Sequence, residues 1–141
     1  MSTTSLRKDH ELIEKVIKAM QSTIQLLNDK KQIPEFILLP VIDFSKNFTD
    51  VCHHTKEEKS LFPALEQAGM PSKMGPIAMM LIDHQRSREI GNEMEKSAKE
   101  YLSSGNSEKL ISDMQLYVDH ITEHLWKENN KLFMMAEARL Q

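Results

Sequence analysis

Two stretches of the chain, "CHHTKEEKSLFPALE" and "HLWKENNKLFMMAE", share one arrangement of residues that could bind a metal. Each places a glutamate four residues after a histidine and Leu-Phe four residues after the glutamate. On a helix, residues four apart lie one turn apart on the same face, so His53 with Glu57 and His124 with Glu128 could each grip one ion. Imidazole nitrogen combined with carboxylate oxygen suits zinc, iron, manganese or copper rather than calcium or magnesium.

The first of these stretches leaves its register open, because His54 and Glu58 have the same spacing as His53 and Glu57. The match between the two stretches favours Glu57, since Glu57 and Glu128 each precede Leu-Phe by four residues. The apolar positions of the same helix do not decide between the pairs. We expect His53 and Glu57 to be ligands and the other pair to lie at the edge of the fold, as outer partners or in solvent.

Four helical segments must position these residues. Glycine and proline are sparse and concentrated in three places, and between them apolar residues recur at steps of three and four. Gly69 suits a left-handed helix end, and Pro71 stops that helix from continuing. The pattern predicts an all-α fold, an antiparallel up-down four-helix bundle forming one domain over residues 1–141. The predicted helices are 5–28, a second from Pro34 or Pro40 to Gln67, 76–102 and 107–140.

All six histidines fall on these helices, and each helix carries at least one. His10 and His84 lie on apolar faces near the starts of their helices, whereas His53 and His124 lie before the ends of theirs. In an up-down bundle these depths overlap at ~1.5 Å per residue. Buried carboxylates in such a layer must take up protons or find a cation. The number of histidines and carboxylates exceeds the need of one tetrahedral ion and indicates two ions bridged by the two glutamates.

Composition excludes several other classes of protein. The formal net charge of −3 is spread along the chain, with no basic stripe for nucleic acid and no polybasic membrane patch. No apolar run is long enough to span a bilayer, and the first residues do not resemble a secretory signal. We therefore expect a cytoplasmic protein without nucleic-acid or membrane partners. Cys52, the single cysteine, cannot form an internal disulfide and is expected to be buried and inert.

Taken in order, "DH", "CHHTKEEKSLFPALE", "GPIAMMLIDHQRSR" and "HLWKENNKLFMMAE" resemble the hemerythrin-like family of HHE cation-binding domains over nearly the whole chain. The resemblance implies a four-helix bundle with two non-haem iron ions and an open coordination position for dioxygen or a related small ligand. It implies that Glu57 and Glu128 bridge the irons. The terminal ligands that it implies are His10, His53, His84 and His124.

The third helix departs from the family pattern, which often supplies two histidines a turn apart there. The residue four after His84 is Arg88, which cannot ligate a metal. His120, one turn before His124, could fill the position or could only donate a hydrogen bond. Without a further histidine one iron has fewer ligands, which favours redox reactivity over reversible oxygen carriage.

Three functions follow from these residues. The leading one is a di-iron protein that binds or reacts with dioxygen, peroxide or nitric oxide in sensing, stress response or oxygen and iron handling. The second is a di-iron enzyme with peroxidase-like or oxidase-like activity, although the Glu-x-x-His pairs of ferritin-like sites are missing from the sequence. The third is a metal-free interaction bundle. Sequence does not fix the metal, since zinc or manganese would accept the same ligands.

Overall fold

The computed structural model of the protein describes residues 3–140, which form four long helices and no strand. The all-α prediction is confirmed, and the helix bounds differ from the predicted ones by at most a few residues. The second helix begins directly after Pro34, so Pro40 lies within it. The helices are α1 (Thr4–Asn28), α2 (35–67), α3 (Pro76–Ser104) and α4 (108–139).

Two of the helices change their hydrogen-bonding pattern along their length. Helix α2 is π-helical over Ser45–His54 and again over Glu57–Leu61, and α4 is π-helical over Glu128–Leu132. Each of the two short π segments begins at the glutamate of a His-x-x-x-Glu pair and ends at the leucine that precedes phenylalanine. A π-helical turn bonds residue i to i+5 and is rare outside functional sites. The repeated sequence motif therefore corresponds to a repeated backbone feature.

Glycines with positive φ lie at the ends of α2 and α3 and directly before the start of α3. Gly69 has φ 98°, and the amide of Met70 bonds the carbonyl of Leu65, which closes the end of α2 as a Schellman motif. Gly105 takes the left-handed conformation after α3. The prediction that Gly69 caps the second helix is confirmed.

The helices pack in the ring order α1, α2, α3, α4 and back to α1, and they enclose two apolar clusters. Along α1, α2 and α3, the histidines and glutamates singled out above fall between the residues of one cluster and those of the other. On α4, Glu128 does so, whereas His120 and His124 lie beside the last residues of the larger cluster. The larger cluster contains Ile13, Ile17, Met20, Ile24, Leu27, Ile33, Leu38, Ile42, Ile90, Met94, Ala98, Tyr101, Leu110, Met114, Tyr117, Val118, Ile121 and Leu125. The smaller contains Leu6, Leu61, Phe62, Leu65, Met70, Ile77, Met80, Leu132, Phe133 and Ala136.

Ion pairs and hydrogen bonds between helices show which parts of the helices are neighbours. The start of α1 meets the end of α4, where Arg7 Nη2 lies 2.6 Å from Glu137 Oε1. The tyrosine near the end of α3, Tyr101, accepts a 2.9 Å hydrogen bond from the amide of Ile33 between α1 and α2. Within residues 3–140, no helix has the length and apolar character needed to cross a membrane.

Candidate metal centre

Helix α2 brings two adjacent histidines into the interior at once. His53 and His54 both have 0% of their surface exposed. In a regular α-helix neighbouring residues are rotated by about 100°, which would turn one of them away. The π-helical turn of Ser45–His54 holds more residues and reduces that rotation, so both rings fit inside. This corrects the expectation that one of the two would lie at the edge.

The alternative carboxylates of the same stretch take different positions. Glu57 is fully buried between the helices, in agreement with the alignment of the two stretches. Glu58 is partly exposed and its Oε2 accepts a 2.8 Å hydrogen bond from His84 Nδ1. The pairs His53/Glu57 and His54/Glu58 are thus not true alternatives, because three of their four residues line the interior and Glu58 supports it from outside.

Five histidines and two glutamates of the layer form two groups that share one residue. In each group the nitrogen and oxygen atoms that could bind a metal all lie within 4.8 Å of one another, and every residue is buried. Glu57 belongs to both groups. One group consists of His54, Glu57, His84 and His124, and the other of His10, His53, Glu57 and Glu128.

The two glutamates lie between the groups. Glu128 directs Oε1 to His10, at 2.8 Å from its Nε2, and Oε2 to His124, at 3.3 Å from its Nε2. Glu57 Oε1 lies 3.0 Å from Nε2 of His84 and 3.7 Å from Nε2 of His53. Each carboxylate therefore faces histidines from both groups, which is the placement that a bridging ligand requires.

Four of the five imidazoles are oriented from outside by an oxygen acceptor on Nδ1. His53 Nδ1 bonds Asp9 Oδ2 at 2.9 Å. The corresponding partners are Asn129 Oδ1 for His10, Glu58 Oε2 for His84 and Asp83 Oδ2 for His124, at 2.8 to 3.1 Å. Since these oxygens accept, each Nδ1 carries a hydrogen and each Nε2 faces the interior. A metal would bind Nε2 in its deprotonated form. Such carboxylate and amide partners fix histidine ligands in metal sites.

Without a metal, the charges of the layer divide unevenly. Burial and the neighbouring Glu128 raise the pKa of Glu57 well above its usual range, so Glu57 is protonated. Burial alone would raise the pKa of Glu128, but the charge of His124 and the hydrogen bond from His10 hold it well below the usual value. Burial opposes the charge on His124, yet Glu128 and Asp83 raise its pKa to about 9. Burial lowers the pKa of His54 to about 3.

The polar atoms of the layer fit a cation. Among residues 3–140, several fully buried ones have no hydrogen-bond partner, and the 3.0 Å contact between His84 Nε2 and Glu57 Oε1 is not aligned as a hydrogen bond. Leaving such groups unsatisfied costs about 1–3 kcal/mol each, and a bound cation would satisfy all of them. They are His54 Nε2, both carboxylate oxygens of Glu57, His84 Nε2, His124 Nε2 and Glu128 Oε2.

Other residues considered from the sequence lie outside the two groups. His120 Nε2 bonds the backbone carbonyl of Asp83 at 3.0 Å and belongs to neither group. Arg88 bonds Asp50 and Glu58 at the periphery of the layer. Cys52 is exposed, in contrast to the expectation of a buried thiol, because its neighbours His53 and His54 occupy the inward face.

The fold and the site together define a four-helix protein with a buried histidine and carboxylate cluster able to hold metal ions. A family model described as the hemerythrin HHE cation-binding domain matches residues 1–136. The chain therefore belongs to this family, as its motifs suggested. Neither a curated protein nor a solved structure matches the chain.

From the sequence, His54 was expected at the edge, and Glu58 was expected there as an outer partner or in solvent. The outer partners Asp9, Asp83 and Asn129 were missed. The adjacent histidines of "CHHTK" were a signal for His54, but only a widened helical turn brings both of them inward. Asp9 and Asn129 lie directly beside His10 and Glu128 in the chain, and Asp83 directly precedes His84. Polar residues next to candidate ligands were therefore the available signal for the outer partners.

Proposed function

We propose that the protein holds two iron ions between its four helices, bridged by Glu57 and Glu128. The sharing of Glu57 by two groups of metal-binding atoms carries the proposal, since each group offers four buried residues to an ion. The histidine-rich donor set suits iron, and it accepts zinc or manganese by affinity alone. The terminal ligands in this proposal are His10 and His53 on one side and His54, His84 and His124 on the other.

The proposal includes the arrangement of the helices, an antiparallel up-down bundle forming one domain. Partners of residues on α2 run in the opposite direction along α3: Lys46 pairs with Glu95, Asp50 with Arg88 and Glu58 with His84. The same reversal relates α3 to α4, where Glu93 meets Lys109 and Asp83 meets His124. Both series support antiparallel neighbours.

We place the small ligand on the side of His10 and His53. That side offers two imidazoles, whereas the other offers three. Glu57 belongs to both groups, and Glu128 Oε2 also lies 3.3 Å from His124 Nε2 of the other side. We leave room for an exogenous molecule on the side with fewer imidazoles. The two irons would supply electrons to a bound dioxygen, peroxide or nitric oxide, as non-haem iron does.

The protein residues would prepare the site for such a ligand. Asp9 and Asn129 hold the rings of His53 and His10 with Nε2 inward. The two apolar clusters on either side exclude bulk water. Glu57, which is protonated in the metal-free layer, would lose its proton when metal binds, because ligands must be deprotonated. His120 acts in this proposal through its hydrogen bond to α3 and not as a ligand.

The proposed role is binding of, or reaction with, a small oxidant in sensing, stress response or oxygen and iron handling within the cytoplasm. A weak peroxidase-like activity is a second candidate, favoured by the lower ligand number on the side of His10 and His53. A metal-free interaction bundle is disfavoured by the buried Nε2 atoms of His54 and His84, which have no hydrogen-bond partner within residues 3–140.

One experiment tests the proposal. Protein purified from iron-supplemented cells should contain two irons per chain and show near-ultraviolet charge-transfer bands. The anaerobic di-ferrous protein should then change its spectrum on exposure to dioxygen, hydrogen peroxide or nitric oxide. A colourless protein that takes up no metal and melts at the same temperature with and without added iron would contradict the proposal. A two-iron protein whose spectrum changes only with hydrogen peroxide, and which consumes peroxide catalytically, would establish the peroxidase-like candidate.

A further inference from the structure

A small chamber lies behind His54, on the side away from the two glutamates. Helices α2, α3 and α4 form its walls, and its volume is about 20 Å³. Its lining includes Asp50 and His54 from α2, Ser87 and Arg88 from α3, and Tyr117 from α4. The chamber therefore touches one candidate metal ligand from the rear.

Two polar atoms in the chamber wall are buried and lack a partner among residues 3–140. They are Nδ1 of His54 and Oγ of Ser87. His54 is completely buried, and Ser87 has 4% of its surface exposed. The hydroxyl of Tyr117 is different, because it donates a 2.9 Å hydrogen bond to the carbonyl of Ser45.

His54 is in this respect unlike the other four imidazoles of the layer, each of which has an oxygen acceptor on Nδ1. The nearest carboxylate oxygen, Asp50 Oδ1, lies 3.7 Å away, which is too far for a hydrogen bond. That oxygen already accepts a 2.7 Å hydrogen bond from Arg88 Nε. The orientation of His54 is thus not fixed by a direct side-chain partner.

The chamber has the size and the polarity to hold one water molecule. A buried water needs roughly 10–15 Å³ and two to four polar partners. The volume of about 20 Å³ meets the first requirement. His54 Nδ1 and Ser87 Oγ supply two polar partners, the lower end of the second requirement.

We propose that the chamber binds one water molecule, which accepts the Nδ1 hydrogen of His54 and bonds the hydroxyl of Ser87. The water would be the outer partner of His54, in the place that Asp9, Glu58, Asp83 and Asn129 fill for the other histidines. Only the consequence for metal binding rests on the proposed function. His54 would be the one ligand held by an exchangeable solvent molecule, and Ser87 a positioning residue for it.

Two variants with side chains of the same shape separate the hydroxyl from the packing. Ser87→Thr retains the hydroxyl and adds one methyl group. Ser87→Val adds the same methyl group and has a second methyl group in place of the hydroxyl. High-resolution crystal structures of the wild type and of Ser87→Thr should show water density at about 2.7–3.2 Å from both His54 Nδ1 and the hydroxyl at position 87. Ser87→Val should lose that density.

A second readout follows the imidazole itself. In zinc-loaded protein, the ¹⁵N resonances of His54 should shift in Ser87→Val and not in Ser87→Thr, while those of the other four histidines stay unchanged. Zinc should also leave one of its two positions roughly 10-fold faster in Ser87→Val, the size of effect typical for loss of an outer partner.

The chamber and the proposed function fail in distinguishable ways. Wild-type density without water, a His54 ring turned to bond Asp50 directly, or unchanged His54 resonances in Ser87→Val would overturn the chamber proposal even in a two-metal protein. Water density in a protein that takes up no metal would support the chamber and overturn the proposed function alone.

Discussion

Arg88 Nη2 lies 2.7 Å from Glu58 Oε2 and forms an ion pair with it. The same oxygen accepts the Nδ1 hydrogen of His84. The same guanidinium donates from Nε to Asp50 Oδ1 at 2.7 Å. Arg88 thus links two carboxylates of α2 to the helix that carries His84. The family pattern often has a histidine at this position of the third helix, and here the position supports the layer from outside.

Arg88→Lys should weaken metal binding without removing a ligand. A lysine is a point charge and cannot bond Asp50 and Glu58 together as the planar guanidinium does. We expect metal affinity to fall roughly 10-fold to 100-fold, as for the loss of other outer partners. Titration with zinc in competition with a chelator would measure it. Arg86→Lys is the matched control, because Arg86 is exposed and its ion pair among residues 3–140 is with the exposed Glu89. Equal affinities of the two variants would refute the role given to Arg88.

His124→Ala should reduce iron well below two per chain, because it removes a ring that faces Glu128 Oε2 and stacks edge-on against His84. His120→Ala is its control on the same helix, one turn earlier. That variant removes a hydrogen bond to a backbone carbonyl and a ring contact with His124, but no proposed ligand, and it should retain two irons. Iron content and near-ultraviolet bands of the two purified variants decide the matter. Loss of iron in His120→Ala would restore His120 as a ligand, and retention in His124→Ala would remove His124 from the set.

The fold could be predicted because helical periodicity is a local property. Apolar residues at steps of three and four reported the buried faces, and glycine and proline reported the ends, so the bounds of α1 to α4 came close to those observed. The π-helical segments could not be predicted. They depend on how the side chains of neighbouring helices pack at Glu57 and Glu128, and single-sequence periodicity assumes a constant rotation per residue.

The candidate site likewise contains residues that the sequence predicted and residues that it did not. His10, His84 and His124 stood at apolar positions, and His53 was chosen by the match between the two stretches. The structure brings all four into the layer. His54 faces inward because the π-helical turn reduces the rotation per residue, and the choice between two α-helical registers did not allow for such a turn. Exposure of Cys52 follows from the same turn, because two inward histidines leave the cysteine outside.

Tyr117→Phe should destabilise the protein and leave its metal content unchanged. The tyrosine is 3% exposed, and its hydroxyl donates to the carbonyl of Ser45, where the π-helical segment begins. Removing the hydroxyl takes away this buried hydrogen bond, whose net contribution is about 0.5–1.5 kcal/mol. Urea unfolding of both proteins, loaded with metal to the same level, measures the difference. A variant as stable as the wild type would show that the bond contributes nothing net.

Removing the metal should make stability strongly dependent on pH on the alkaline side. The folded-state pKa of His124 is raised to about 9 from 6.5, so its contribution is complete below about pH 6.5 and is lost as pH rises through 9. The shift corresponds to about 3 kcal/mol, counted once for the interaction with Glu128. Glu57 acts in the same direction, because its raised pKa makes its ionisation unfavourable in the folded state.

On the acid side the metal-free protein should lose stability for a different reason. His54 is neutral in the folded protein, with its pKa lowered to about 3, so unfolding takes up a proton increasingly as pH falls below 6.5. A bound metal replaces the proton on His124 and Glu57, so it should abolish the alkaline loss while protons still compete at low pH. Unfolding free energies from urea titrations between pH 5 and 9.5, with and without chelator, measure both sides. His124→Gln without metal should lack most of the alkaline decline. A metal-free wild type equally stable at pH 6.5 and 9.5 would show that His124 and Glu128 do not interact as the structure places them.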